Sequence, residues 1–431
     1  MKFAIRRTSI KLIPLALAVV IVLSVITDYK AQMFVIGNAD GKQTDEPNEP
    51  DRTYATGTNN VPDTNNATGT NYATGTNNVP GTNYATGTNN MTGTNNATGT
   101  NYAAGTNNVP GQSQLRRDTN INPLTGLGTA YDISSNRPVA VSVSNQKAAL
   151  PTNATNGISQ ADIVYEVLVE GGITRFIALF QDFSNVGVVG SIRSARHYTV
   201  ELAEAYDAMF IHAGGSPLGF EEIEKRNITN FDEVSGRRAQ IFKRDVNRIP
   251  GQTVKNYHSV TTSGASFSQW FPTYGLRSLH SDGFRQAFNF TDNPIPAEAK
   301  AHEVGIRFSA TKDSIFIYEN TQNVYYMAQF GSFFTDANND APVTFTNLLI
   351  LEMPISDLVG HGEGAGRQDM STVGQGPGVL ISNGRYVRIN WYRSDKSAQF
   401  IYTYENGSEI ELGRGKTYIG IIPVNAGISI S

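Results

Sequence analysis

ADIVYEVLVEGGITRFIALFQD, residues 161–182, holds the clearest β signal in the chain. Two runs rich in Val, Ile, Tyr and Phe, Ile163 to Val169 and Ile173 to Phe180, flank Glu170-Gly171-Gly172. Branched and aromatic side chains pack well on a pleated surface, and glycine enters positive φ without a Cβ clash, so the pattern predicts a β-hairpin with a glycine turn. Upstream, RPVAVSVSN (137–145) alternates valine with small residues and reads as a further strand. Downstream, SARHYTVELAEAYDA (194–208) has helical spacing, with Val200, Ala203 and Tyr206 on one face and Glu201 and Glu204 beside it. AMFIHAGGS (208–216) returns to a strand. SPLGFEEIEKRN (216–227) then opens a second helix, with Ser216 as N-cap and Pro217 at the first helical position.

After about Glu298 helical periodicity nearly vanishes, and short β-rich runs such as SIFIYEN, VYYMAQF, YVRINWYR and TYIGIIPV follow one another. Asn383-Gly384 and Asn406-Gly407 are hairpin turn signals between such runs. The expected fold class is therefore α+β, with a mixed α/β domain over 121–295 followed by a mainly antiparallel β domain over 296–431. The boundary is placed between Thr291 and Lys300, where Pro294 and Pro296 interrupt the pattern.

Two segments precede these domains. Lys2, Arg6, Arg7 and Lys11 lead into the apolar run LIPLALAVVIVLSVI, Leu12 to Ile26. Positive charge before an apolar run is an export signal with its flank inside the cell. The run is short for a membrane span, but no Ala-x-Ala pair follows it and Lys11 can snorkel, so the reading is an uncleaved anchor over 1–30 rather than a cleaved signal. This places the N-terminus in the cytoplasm and the folded domains outside the membrane. From Ala55 to about Pro110 the sequence repeats in sixes, as ATGTNN, VPDTNN, ATGTNY. A hexapeptide period admits a parallel β-solenoid, but the residue that would fill its core is usually only alanine. At ~25 cal/mol/Å² so little apolar area does not offset about 1–2 kcal/mol of backbone entropy per residue, and the reading for 31–120 is a disordered stalk.

Composition excludes several functions. The net charge of −4 over 431 residues, with no basic run along the sequence, argues against a nucleic-acid partner. The absence of cysteine removes disulfides, thiolate metal sites, thiol nucleophiles and a lipid on an N-terminal cysteine. No P-loop, Gly-x-Ser-x-Gly elbow or His-Glu-x-x-His zinc motif is present, and neither a cofactor nor a metal is expected.

NPLTGL (122–127), RPVAVSVSN, GISQADIVYEVLVEGGITRFIALFQD (157–182), GSIRSARHYTVELAEAYDAMFIHAGGS (190–216) and FKRDVNRIPGQTVKNYHSVTTSG (242–264) occur in order. Near the other end stand GRQDM (366–370), Gly376, Gly378, Gly384, Trp391 and LGRGKTYIGIIPV (412–424). This series resembles the YerB-like family of bacterial surface lipoproteins, whose domain of unknown function comes in N- and C-terminal parts. The resemblance implies an architecture and a surface location, but no reaction. The chain departs from the family in lacking a cysteine for lipidation, which leaves the apolar run as its anchor.

Three segments are candidates for chemistry. In GSIRSARHY, Arg193 and Arg196 sit three apart at an expected helix start beside Ser191 and Ser194 as possible caps. Free backbone N–H groups and guanidinium donors there favour an anion, while Glu166, Glu170, Glu201 and Asp207 are possible structural partners. In FIHAGGSP, His212 ends a strand before Gly214, Gly215 and Ser216, a turn of the kind that ligands approach in α/β folds, or a histidine satisfied in the core. His258 in KNYHSV could converge on the same cleft. In HGEGAGRQD (361–369), Arg367 and Asp369 lie on a glycine-rich loop that also reads as hairpin or bulge structure.

Three functional expectations follow. The first is a membrane-tethered module in which Arg193, Arg196 and the amides near Gly214 and Gly215 hold an anionic group of a cell-envelope ligand or surface protein. The second is an envelope hydrolase with His212 or His258 as base, Asp207 or Asp369 orienting it, and the arginines stabilising negative charge. The third is a surface scaffold without a small-molecule site.

Overall fold

The hairpin forms where its residues call for it. In the computed structural model, strand β1 (Val139–Asn145) and the hairpin strands β2 (Ile163–Leu168) and β3 (Thr174–Phe180) lie side by side, with β3 antiparallel to both others. The turn runs through Gly171 and Gly172 at φ +70° and +72°, the left-handed region that glycine occupies without strain. The structure describes residues 120–431 apart from 285–287, 361–363 and 365; before residue 120 only the backbone of short strands between 52 and 108 is described.

All positions of β1, β2 and β3 are buried, so the sheet is covered on both faces. Val141, Val143, Phe176 and Phe180 fill a core on one face, and Ala140, Tyr165, Ile177 and Leu179 fill a core on the other. The two-residue alternation of a strand explains that partition.

Beyond β1 the chain builds a parallel edge. Helix α1 (His197–Glu204) leads into β4 (Met209–His212), and helix α2 (Pro217–Lys225) leads into β5 (Asn230–Asp232); β4 runs parallel to β1, and β5 parallel to β4. Helix α2 begins as its sequence predicts, with Pro217 first and the Ser216 hydroxyl accepting from the Gly219 amide at 3.1 Å. Helix α1 does not. Its N-cap position is Arg196, whose amide donates to the Thr199 hydroxyl at 2.9 Å, and neither Ser191 nor Ser194 caps it. The residues before Arg196 are held extended instead: Ala195 donates to the Gly214 carbonyl at 2.9 Å, and Ala213 donates to the Arg193 carbonyl at 3.1 Å.

The longer strands of the C-terminal half are β6 (Glu303–Ser309), β7 (Lys312–Glu319), β8 (Val324–Gln329), β9 (Asn347–Met353), β10 (Gly374–Ser382), β11 (Arg385–Arg393), β12 (Ile401–Tyr404) and β13 (Thr417–Pro423). Asn383-Gly384 makes the β10–β11 turn as expected. Strand β13 inserts parallel to both β2 and β9, giving an 11-stranded sheet that carries strands from both halves. The C-terminal part is therefore not wholly antiparallel. The expected boundary between Thr291 and Lys300 falls inside one compact unit, Asp118–Ser431, whose two parts are joined through the shared sheet. The physical reason is that β2 has two long edges and β13 hydrogen-bonds to the second. Strands β6, β7 and β8 form a smaller sheet whose Phe316, Tyr325 and Met327 pack into the first core.

In the repeat segment, the described backbone strands pair in parallel, each with the residue three hexapeptides further on: Arg52 with Thr70, Asn59 with Asn77, Thr64 with Thr82. That register is the solenoid alternative to a disordered stalk. The expected anchor over residues 1–30 and the remainder of the stalk lie outside the described residues. Among the described residues no helix is long and apolar enough to cross a membrane.

Candidate anion-binding site

Three arginines gather at the end of the sheet where β1 and β4 finish and β3 begins, and two of them meet one carboxylate. Arg175 projects from the first turn of β3; Arg193 and Arg196 lie on the extended segment that precedes α1. Glu170 stands in the hairpin turn. Arg196 is buried and grips both oxygens of Glu170, through Nε at 3.1 Å and through NH2, while its NH1 donates to the Ala195 carbonyl at 2.8 Å. Arg175, also buried, donates to the Ser194 carbonyl at 2.5 Å and stands 3.9 Å from the same carboxylate. Arg193 is partly exposed and donates to the Tyr257 carbonyl at 2.6 Å. Among the described residues no carboxylate lies within ion-pair distance of Arg193.

The electrostatics follow from three cations to one anion. Partial burial raises the Glu170 carboxyl, but Arg175 and then Arg196 outweigh it and bring it down to about 2. Burial, aided by the positive charge of Arg196, pulls Arg175 down to about 9. Burial likewise lowers Arg193, with Arg196 acting in the same direction and Glu170 opposing it. A further anion here would relieve like-charge repulsion, as the oxygens of a phosphate or carboxylate do at guanidinium groups elsewhere.

The turn after β4 approaches the arginine segment, with Ala195 bridged to Gly215, and two of its amides, those of Gly214 and Ser216, are used within the protein. The Gly214 amide donates to Asp232 at 2.6 Å, and the Ser216 amide donates to the Ala195 carbonyl at 3.1 Å. The Ser216 hydroxyl is used by the α2 cap. Gly215 supplies a bare backbone: a Cβ there would lie 3.2 Å from the Phe220 ring. His212 is a core histidine, stacked on Phe210, with Nδ1 2.8 Å from the Gly214 carbonyl and Nε2 3.3 Å from Asn230; burial lowers its pKa.

His258 is fully buried, and neither ring nitrogen has a hydrogen-bond partner within the protein. Burial, reinforced by Arg193, Arg248 and Lys255, brings it down to about 4. It is thus a neutral imidazole beside the arginine group. The buried hydroxyls of Ser142 and Ser191 are likewise unpartnered within the protein, and the backbones of both residues line the same segment: the Arg193 amide donates to the Ser142 carbonyl, and the Ser144 amide to that of Ser191.

The expected histidine–aspartate relay does not assemble. Asp207 lies just before β4, at the end opposite His212, where it pairs with Arg277 through two contacts of 2.7 Å, with Arg137 at 3.3 Å and with His280 at 3.2 Å. Its pKa is held well below the usual carboxylate range despite burial, chiefly by Arg277. Asp369 orients neither expected base; it bonds His197 Nε2 at 2.9 Å, next to Arg196 in the chain. The glycine-rich loop does come to the hairpin turn that carries Glu170, since a Cβ on Gly366 would lie 3.9 Å from the Gly171 nitrogen. His361 and Glu363 of that loop lie outside the described residues. Among the described residues no group of three or more His, Asp or Glu side chains is gathered to hold a metal.

Residues 124–269 match the N-terminal domain, and residues 304–419 the C-terminal domain, of a family described as protein of unknown function DUF3048. The chain belongs to this two-part, YerB-like family. It is 28% identical over 312 residues to the Bacillus subtilis (strain 168) protein named "Putative lipoprotein YerB", spanning 72% of this chain and 88% of that one. The crystal structure of the YerB protein from Bacillus subtilis superposes with a TM-score of 0.60 at 27% identity, covering 72% of this chain and 99% of that one. Arg175, Arg193 and Arg196 fall in the family's N-terminal segment and Asp369 in its C-terminal one, so the surroundings of the site in this YerB-like chain draw on both.

Proposed function

We propose that the chain is a membrane-tethered extracytoplasmic binding module whose arginine group holds an anionic group of a cell-envelope ligand or surface partner. The observation that carries the reading is Arg193: a half-buried guanidinium, beside two further arginines that share a single carboxylate, with no carboxylate of its own among the described residues. The extracytoplasmic location is supported by the apolar run after Lys2, Arg6, Arg7 and Lys11, and by the lipoprotein name of the Bacillus subtilis relative. The repeat segment then serves as a spacer between membrane and site.

Isothermal titration of the full-length, detergent-solubilised protein with inorganic phosphate and with solubilised envelope fractions tests this. Arg193→Ala is expected to weaken binding about ten-fold or more, as loss of a charge-assisted bond worth roughly 1.5–3 kcal/mol implies. Unchanged binding in Arg193→Ala, and in Arg193→Ala combined with Arg196→Ala, ends the proposal.

A further inference from the structure

The turn that receives Arg193 receives two more arginines. Three consecutive carbonyl oxygens each accept from a different guanidinium: Asn256 from Arg244 NH1 at 3.1 Å, Tyr257 from Arg193 NH1 at 2.6 Å, and His258 from Arg248 Nε at 2.9 Å. Lys255 precedes them, with Nζ 5.8 Å from the centre of the Tyr257 ring. The cations are not equally available. Arg248 is buried and spends its remaining donors on Asn156 and Ala149, and Arg244 is paired at 2.8 Å with Glu233. Lys255 is exposed and, like Arg193, has no carboxylate within ion-pair distance among the described residues. Beside these two cations Tyr257 is 53% exposed, its ring centre 4.5 Å from that of His258, while its backbone is held through the three carbonyl contacts of the turn.

An exposed aromatic ring on a hydrogen-bonded turn, with Lys255 near its centroid and Arg193 at its carbonyl, is suited to a ligand that alternates a flat, partly apolar unit with anionic groups. The ring loses little conformational freedom on binding because its turn is already fixed. A small free anion has no use for such a ring. Resting on the binding function proposed above, we infer that the Lys255–His258 turn extends the arginine site into a groove for an anionic glycan, in which a sugar ring lies on Tyr257 while Arg193 and Lys255 hold anionic groups of successive units. Phosphate-linked sugars and uronic acids share that chemistry.

The test titrates the full-length protein with four probes: inorganic phosphate, a sugar-phosphate polymer, an oligogalacturonate and a neutral glucan. The sugar-phosphate polymer or the oligogalacturonate is expected to bind at least ten-fold more tightly than inorganic phosphate, and the neutral glucan not to bind. Preference for the first over the second identifies phosphate as the anion, and the reverse identifies carboxylate. Tyr257→Ala is expected to weaken the anionic glycan about ten-fold while leaving inorganic phosphate unchanged, Tyr257→Phe to restore it, and Lys255→Ala to reduce the steepness of its salt dependence. If Tyr257→Ala and Lys255→Ala leave glycan binding untouched while Arg193→Ala abolishes it, the glycan inference fails and the anion site stands. If Arg193→Ala leaves every probe unaffected, both fail. Tight binding to anionic lipid vesicles that is insensitive to Tyr257→Ala, with no glycan binding, also overturns the inference.

Discussion

Glu166 and Lys312 lie 2.9 Å apart with 0% and 2% of their side-chain surfaces exposed, one in each of the two segments that define the family. Asn145, Thr174, Ser314 and Tyr418 donate the remaining hydrogen bonds to the carboxylate, at 2.6–2.9 Å. Burial lowers the Lys312 ammonium, and Glu166 opposes that shift. The pair ties β2 to β7 in a setting where an unpaired charge is far more costly than in water.

Removing both partners should therefore cost less than the sum of the two single removals. Lys312→Met is expected to destabilise the protein by about 3–5 kcal/mol, and Glu166→Gln with Lys312→Met by less than the sum of the single changes. Urea unfolding of the four proteins of the cycle measures this, and strictly additive losses would show that the two groups are not coupled. For the same reason residues 296–431 expressed alone should lack a cooperative transition, since they leave the β2 edge of β13 unpaired.

Glu170 is the sole described carboxylate within ion-pair distance of Arg175 and Arg196. Glu170→Gln is expected to strengthen binding of inorganic phosphate several-fold, because the internal competitor is gone. It should cost only about 1 kcal/mol of stability, since the carboxylate is partly exposed and screened by solvent. Weaker phosphate binding in Glu170→Gln would mean that the carboxylate organises the arginines rather than competing with the ligand.

His258 makes stability pH-dependent in a defined direction. Its folded pKa, about 4, lies below the ordinary histidine value of 6.5, so protons bind the unfolded chain more readily. Its contribution is fully present above pH ~6.5 and is lost as pH falls toward 4, amounting to roughly 2–3 kcal/mol by pH ~4.5. Urea midpoints measured at pH 7 and 4.5 should fall less in His258→Phe than in the wild type. Equal falls in the two proteins would place the titrating group elsewhere.

The repeat segment poses a question of energy. Its described strands pair three hexapeptides apart, but the recurring apolar residue is mostly alanine. An isolated peptide covering residues 54–114 is expected to give coil-like circular dichroism without a melting transition, because so little apolar area opposes about 1–2 kcal/mol per residue of ordering entropy. A β-sheet minimum that melts cooperatively would assign the solenoid to the segment on its own.

What could be read without coordinates was local. Glycines 171 and 172 fixed the hairpin turn, Ser216 and Pro217 fixed the start of α2, and Asn383-Gly384 fixed the β10–β11 turn, because each depends on residues a few positions apart. Glu170 was recognisable as a possible partner of Arg196 from charge alone. The start of α1 was misplaced, since Ser191 and Ser194 satisfy a capping pattern that pairing with the Gly214 strand end overrides. Asp207 was a plausible companion for His212 by proximity in sequence, yet the two occupy opposite ends of one strand.

Short-range pattern was enough for the hairpin strands, the capped start of α2, the repeat period and the family resemblance. Long-range packing was needed to join the two halves in one sheet and to bring Arg193, Arg244 and Arg248 to three successive carbonyls from 64, 12 and 10 residues away. Such convergence is set by how buried strands align and by which charges find partners when water is excluded, and neither is written into the spacing of residues along a chain.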